Sequence, residues 1–503
     1  MKKKFLLFIN LLALLFAWQV SHIKQVAADD KLKVVTTFYP VYEFTKAVTG
    51  DSADVSMLIK AGTEPHDFEP STKNVATISD ADMFVYMDDS METWVKKVQK
   101  SINSDDLTVV KSTGDMLLMA GTAEEEEEGH EGHSHEYDPH VWLSPKRAVT
   151  LVENIRDAFV AKYPDKAETF KTNSAAYIEK LNDLDKKYSD ALSNAKQKSF
   201  VTQHAAFGYL ALDYGLNQIP ITGVSAESEP SAKRLASLTK YVKKYDIKYI
   251  YFEENASSKV AATLADEAGV KTAVLNPLES LTTKEIKAGE DYFTVMKDNL
   301  KALRLTTDVK GKEIKAETDD TKTVQHGYFK DKDVTDRKLT DWSGTWQSVY
   351  PYLLDGTLDE VWEYKADASK GEETAQEVKD YYTTGYKTDV EKIIIDGKKN
   401  TVTFVQNGEE HKYIYKYVGY KILKYEKGNR GVRYLFEAKD DNAGDFKYIQ
   451  FSDHNISSTK AEHFHLFWGS TSQKAILKEM DNWPTYFPAS KSGQEIAQDL
   501  VAH

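Results

Sequence analysis

Histidine is the residue to follow in this chain. There are 13 of them and no cysteine. A transition-metal site must therefore use imidazole and carboxylate, and thiolate catalysis, disulfides and Cys-based zinc sites are excluded. One set is compact: His454, His463 and His465 fall within 12 residues. His463-Phe464-His465 has the spacing that sends two imidazoles to one side of a strand and Phe464 to the other. The preceding strand pattern ends near Ser452, so a hairpin brings His454 opposite them. Three imidazoles make a zinc site with a fourth position open. An exposed His face is the alternative reading of the same residues.

A second set is scattered. His66 lies in Glu64-Pro65-His66-Asp67, His140 in Asp138-Pro139-His140-Val141-Trp142, and His204 in Thr202-Gln203-His204. His204 follows a strand pattern directly, His66 lies a few residues beyond another, and Glu279 comes just after a third. Ligands of open α/β sheets gather at the carboxyl ends of strands, so these loops are candidates to converge in one cleft. Three imidazoles and a carboxylate form a tetrahedral zinc shell. Residue types alone also allow three unrelated histidines. Between them, His130, His133 and His135 follow the acidic run Glu124–Glu128. A segment so polar, about 121–136, reads as a surface loop with auxiliary metal capture, or simply as a solvated acidic loop.

The elements that must position these residues fall into two blocks. Over residues 32–305, strand patterns at Lys33–Thr37, Val55–Ile59, Met83–Met87, Thr108–Lys111, Ser199–Thr202, Ile247–Glu253 and Lys271–Leu275 alternate with helical ones. That alternation predicts mostly parallel α/β sheets. From Lys166 to about Ala195, Tyr177, Leu181, Leu184, Tyr188 and Leu192 recur at steps of three and four. A helix of that length spans roughly 45 Å, and is either a strut joining two lobes or a long surface helix of one domain. Around 306–321 the apolar pattern gives way to a charged, Thr-rich linker. Beyond it, aromatic residues crowd 342–386. Strands then fit Lys392–Ile395, Thr401–Val405, Lys412–Val418, Val432–Ala438, Phe446–Ser452 and His463–Trp468, with turn signals at Asp396-Gly397 and Asn407-Gly408. Short antiparallel strands with such turns predict a small closed or partly closed barrel.

Composition sets the compartment and excludes some partners. A net charge of −14 argues against nucleic-acid binding, which needs clustered excess Lys and Arg. Lys2-Lys3-Lys4, an apolar run and Val26-Ala27-Ala28 read as a leader over 1–28 cleaved after Ala28, with an uncleaved anchor as the alternative. The mature chain is then expected outside the cytoplasm.

These motifs resemble known families. Residues 29–305 are similar to cluster A-I metal-binding solute-binding proteins of the ZnuA type, through Thr36-Thr37-Phe38-Tyr39-Pro40, Glu64-Pro65-His66, Asp138-Pro139-His140-Val141-Trp142-Leu143-Ser144-Pro145 and the His-rich loop. Residues 322–503 resemble the ZinT family, through Asp453-His454-Asn455-Ile456, Glu462-His463-Phe464-His465 and Asp481-Asn482-Trp483-Pro484. The order of the two is that of AdcA-like zinc-uptake proteins. The resemblance implies a two-lobed α/β domain joined by the long helix, followed by a calycin-like barrel. It implies His66, His140, His204 and Glu279 as one Zn²⁺ site and His454, His463 and His465 as another. It implies a zinc-binding component of an importer, feeding a permease and an ATPase on other chains. AdcA-like proteins normally carry a lipobox Cys, and this sequence has none, so membrane contact is expected through the permease rather than a lipid anchor. Manganese-binding relatives are expected to offer a carboxylate where His204 offers nitrogen, and nitrogen-rich shells favour zinc. A zinc hydrolase is the competing class, since three His with an open position is also a catalytic arrangement. It needs a general base, and Glu462, at strand spacing, should point away from His463 and His465. An extracellular zinc buffer or adhesin is a third.

Overall fold

The computed structural model describes residues 31–102, 106–121, 137–222, 232–253, 259–312, 324, 327–369, 371–425 and 428–502. The leader read at 1–28 and His130, His133 and His135 lie outside the described residues.

The first block folds as two parallel sheets. Strands β1 (Leu32–Thr36), β2 (Ala53–Met57), β3 (Met83–Tyr86) and β4 (Thr108–Lys111) form a sheet in the order β2-β1-β3-β4. Strands β5 (Ser199–Thr202), β6 (Asn217–Pro220), β7 (Tyr249–Phe252) and β8 (Lys271–Val274) form another, ordered β6-β5-β7-β8. The central strands Met83-Phe84-Val85-Tyr86 and Ser199-Phe200-Val201-Thr202 are buried at every position, as parallel strands covered on both faces must be. Helix Ala167–Leu192 joins the lobes and buries Phe170, Ser174, Tyr177, Leu181, Leu184, Tyr188 and Leu192 along one stripe. It packs on helices Tyr39–Thr49 and Pro145–Lys162 on one side and on Tyr292–Thr307 on the other. The Tyr188 hydroxyl donates to the Met296 carbonyl at 2.6 Å. One apolar cluster runs through both lobes along this helix, which makes it a strut.

The second block is a closed antiparallel barrel of eight strands. Strands β9 (Gly344–Ser348), β10 (Val390–Asp396), β11 (Thr401–Gln406), β12 (Glu409–Lys424), β13 (Arg430–Ala438), β14 (Tyr448–Ser452), β15 (Phe464–Gly469) and β16 (Thr485–Pro488) pair in sequence, and β9 closes between β16 and β10. Asn407 (φ 54°) and Gly408 (φ 80°) make the two-residue turn between β11 and β12. Trp342, Trp346, Phe404, Phe451 and Phe464 fill the interior. The aromatic-rich segment 342–386 supplies β9 and three helices, Tyr350–Leu354, Asp359–Ala368 and Ala375–Tyr386. With helix Gly493–Ala502 they build a second apolar layer outside the barrel, which also takes in Leu117 of the first block. Among the described residues no helix is long and apolar enough to cross a membrane.

Candidate metal centres

The first centre forms where loops leave the carboxyl ends of the two parallel sheets. His66 follows β2, His204 lies two residues past β5, and Glu279 follows β8. His140 precedes the one-turn 3₁₀ helix Val141–Leu143, which leads into helix Pro145–Lys162. The ligating atoms of these four side chains lie within 4.8 Å of one another. His66 Nε2 is 3.1 Å from His140 Nε2, and Glu279 Oε1 is 3.5, 3.3 and 3.3 Å from the Nε2 atoms of His66, His140 and His204. Zinc bonds of 2.0–2.2 Å in a tetrahedron put neighbouring ligand atoms about 3.3–3.5 Å apart, close to the spacing of Glu279 Oε1 from the three imidazoles. His204 Nε2 and Glu279 Oε1 are buried with no hydrogen-bond partner. A cation satisfies both.

Two carboxylates fix the imidazoles from behind. Asp138 Oδ1 accepts from both the backbone N–H and Nδ1 of His140, at 2.9 and 2.7 Å. Glu253, one residue past β7, pairs with Nδ1 of His204. A proton held on Nδ1 leaves Nε2 bare for a metal. Gly208 keeps this arrangement open, since a Cβ there would come within 2.9 Å of Asp138 Oδ2.

The electrostatics divide the three imidazoles. Burial pushes His66 down to about 4, which keeps it neutral and ready to bind. Burial also acts downward on His140 and His204, but Asp138 and Glu253 outweigh it and raise both above the ordinary imidazole value. Burial favours a neutral Glu279, yet the three surrounding imidazoles hold its carboxyl well below the usual range. Burial and the charge of Glu279 push the nearby Glu64 carboxyl up, so it carries a proton near neutral pH.

The second centre lies at one end of the barrel. Strands β14 and β15 pair with Ser452 opposite His465, and this hairpin returns His454 to the two imidazoles across it. The ligating atoms of His454, His463 and His465 also lie within 4.8 Å of one another, and His465 Nε2 is 3.4 Å from His454 Nε2. Phe464 points into the core between them. Buried Thr485 orients His465: its hydroxyl donates to the Trp483 carbonyl at 2.9 Å and accepts from His465 Nδ1 at 2.8 Å. His463 stacks on Phe487 at 5.2 Å. His454 is exposed and sits at φ 63°, a left-handed conformation that a β-carbon disfavours. Glu462 is exposed. Sequence reasoning singled out the residues that converge in each centre but not the residues behind them. Glu253 had a usable signal, the same strand-end placement as His204; Thr485, on a strand not foreseen, had none.

The chain matches two known families. Residues 34–305 match the family described as "Zinc-uptake complex component A periplasmic", ZnuA, and residues 320–503 match "ZinT (YodA) periplasmic lipocalin-like zinc-recruitment". The chain is 66% identical over its full length, and over the full length of the relative, to the zinc-binding protein AdcA of Streptococcus pyogenes serotype M6. It is 51% identical over 278 residues, 55% of this chain and 87% of the relative, to the high-affinity zinc uptake system protein ZnuA of Bacillus subtilis. The crystal structure of Zn(II)-bound AdcA from Streptococcus pneumoniae superposes with a TM-score of 0.82 at 62% identity, covering 94% of this chain and all of that one. With both domains matched, in the same order and over the whole length of a relative, the chain belongs to the AdcA family of zinc-binding proteins, a ZnuA domain followed by a ZinT domain.

Proposed function

We propose that this protein captures Zn²⁺ outside the cell membrane and delivers it to an importer made of a permease and an ATPase on other chains. The observation that carries this reading is the four-ligand cluster of His66, His140, His204 and Glu279, buried between two lobes at tetrahedral spacing. A closed four-ligand shell leaves no coordination position for a reacting water, so it suits binding and release rather than hydrolysis. Its three nitrogens to one oxygen favour zinc over manganese. Membership of a family whose relatives are named for zinc binding and zinc uptake supports the same cargo.

The barrel cluster is read as a second zinc site that gathers metal when it is scarce. Three imidazoles leave a coordination position open, and His454 is reachable from solvent. Such a site loads and unloads without any lobe movement. In this reading the domains divide at about 305 and 322, and His130, His133 and His135 give weak auxiliary capture. Growth and radioactive zinc uptake in strains carrying single-site variants test this reading. His140→Ala should depress uptake at every zinc level in a strain without other zinc importers, and His463→Ala with His465→Ala only under chelation. Normal uptake by the His140 variant in that strain would remove the cleft from the transport route.

A further inference from the structure

The strand pair β14–β15 carries the second centre, but the excursion between them, residues 453–463, must hold His454 in place. Its conformation is not a relaxed one. His454 is at φ 63°, and such a residue keeps that geometry only where its surroundings over-determine it. The restraint comes from outside the hairpin. Arg337, 1% exposed, lies with its guanidinium 4.1 Å from the Trp342 ring centre and 5.1 Å from that of Tyr434. All three nitrogens are engaged. Nη1 donates to Asp453 Oδ1 at 2.5 Å, Nη2 to the Thr459 carbonyl at 2.5 Å, and Nε to Asp341 Oδ2 at 3.0 Å. Two of these acceptors belong to the excursion, one on each side of the stretch that bears His454. The third, Asp341, grips the same excursion itself. Its Oδ1 accepts from Ser458 Oγ at 3.2 Å and its carbonyl from the Ala461 N–H at 2.9 Å. Asp453 Oδ1 also accepts from the Asn455 N–H at 3.3 Å, so the residues on both sides of His454 converge on one oxygen.

We propose that Arg337 is the positioning residue of the barrel's zinc site, fixing His454 opposite His463 and His465 by clamping Asp453 and Thr459 in one planar fork. The proposal rests on the reading of those three histidines as zinc ligands. It follows from geometry that a lysine cannot reproduce: an ammonium is a single point and cannot span three acceptors held in one plane. Arg337 acts through the Asp453 carboxylate and the Thr459 carbonyl, one on either side of His454.

A competition titration of the full-length protein against a chromophoric zinc chelator tests it, with thermal melting of the zinc-free protein read alongside. His463→Ala with His465→Ala is the control for the ligand assignment. If that variant keeps the second zinc, the reading of the site fails and the inference falls with it. If it loses that zinc, Arg337→Lys should weaken the second site about tenfold or more, in the range seen when groups behind a metal ligand are altered, and leave the cleft site unchanged. Asp341→Asn, which removes one arm and keeps the Arg337–Asp453 pair, should act in the same direction and decides the matter if the lysine variant does not melt cooperatively. A purely structural Arg337 would lower the melting temperature and leave zinc affinity alone. Cooperatively melting variants that bind the second zinc as the parent does would overturn the proposal.

Discussion

Two carboxylates set how firmly the cleft imidazoles hold a proton, and so how zinc binding depends on pH. Asp138 and Glu253 raise His140 and His204 above the ordinary imidazole value, while burial lowers His66 to about 4. Zinc needs all three neutral. A raised pKa means that protons compete with metal from a higher pH, so affinity should fall as pH drops through neutrality, beginning above the unperturbed value of about 6.5. Binding near neutral pH should therefore release protons. Glu253→Gln should release fewer, and should weaken zinc by about 10–100-fold, because the orienting charge behind His204 is lost. Calorimetry in buffers of different ionisation enthalpy reads both, and unchanged proton release would mean that Glu253 does not govern His204. His204→Glu exchanges nitrogen for charged oxygen and should narrow the preference for zinc over manganese; an unaltered metal preference would remove His204 from the shell. At this scale much was legible. The His463-Phe464-His465 alternation and the strand-end placement of His204 are local patterns that geometry makes specific. The roles of Arg337 and Thr485 were not, because each acts across 116 and 20 residues of separation, respectively, and no local spacing reports such a contact.

Among the elements, helix Ala167–Leu192 matters most to the cleft, since it fixes the distance between the sheets that supply its ligands. Its period-3.6 stripe was plain in the sequence, and the choice between strut and surface helix is settled by its packing on elements of both lobes. Leu181, fully buried in that stripe, should cost about 2–5 kcal/mol when replaced by alanine. Differential calorimetry should show that loss in the first domain's transition alone; equal loss in the barrel's transition would contradict a separate core. Three strands were missed from sequence. Strand β6, Asn217-Gln218-Ile219-Pro220, is a sheet-edge strand that ends in proline and is half-buried throughout, so it carries neither an apolar run nor alternation. Strands β9 and β16 are short, and β9 runs directly into the aromatic helix Tyr350–Leu354. Those two strands close the barrel, so its closure was the feature the sequence left open.

In the whole molecule, the two domains meet over a built interface as well as through the linker. Arg147 pairs with Asp213 and lies between the rings of Tyr209 and Tyr364, 4.9 and 4.7 Å from their centres. The Tyr364 hydroxyl donates to the Leu117 carbonyl at 2.7 Å. Gln498 pairs with both backbone groups of Leu118, at 2.7 and 2.6 Å. Arg147→Ala should loosen this docking, seen as a larger radius of gyration in solution scattering, while the protein keeps its bound zinc. An unchanged radius would show that the apolar layer around Leu117 suffices. The central claim is that one chain carries two zinc sites, each complete within its own domain. Native mass spectrometry of the full-length protein after mild removal of loosely bound metal tests it most directly. The parent should hold two zinc ions, His140→Ala one, and His463→Ala with His465→Ala one. A parent that holds a single ion, or either variant that still holds two, would contradict it.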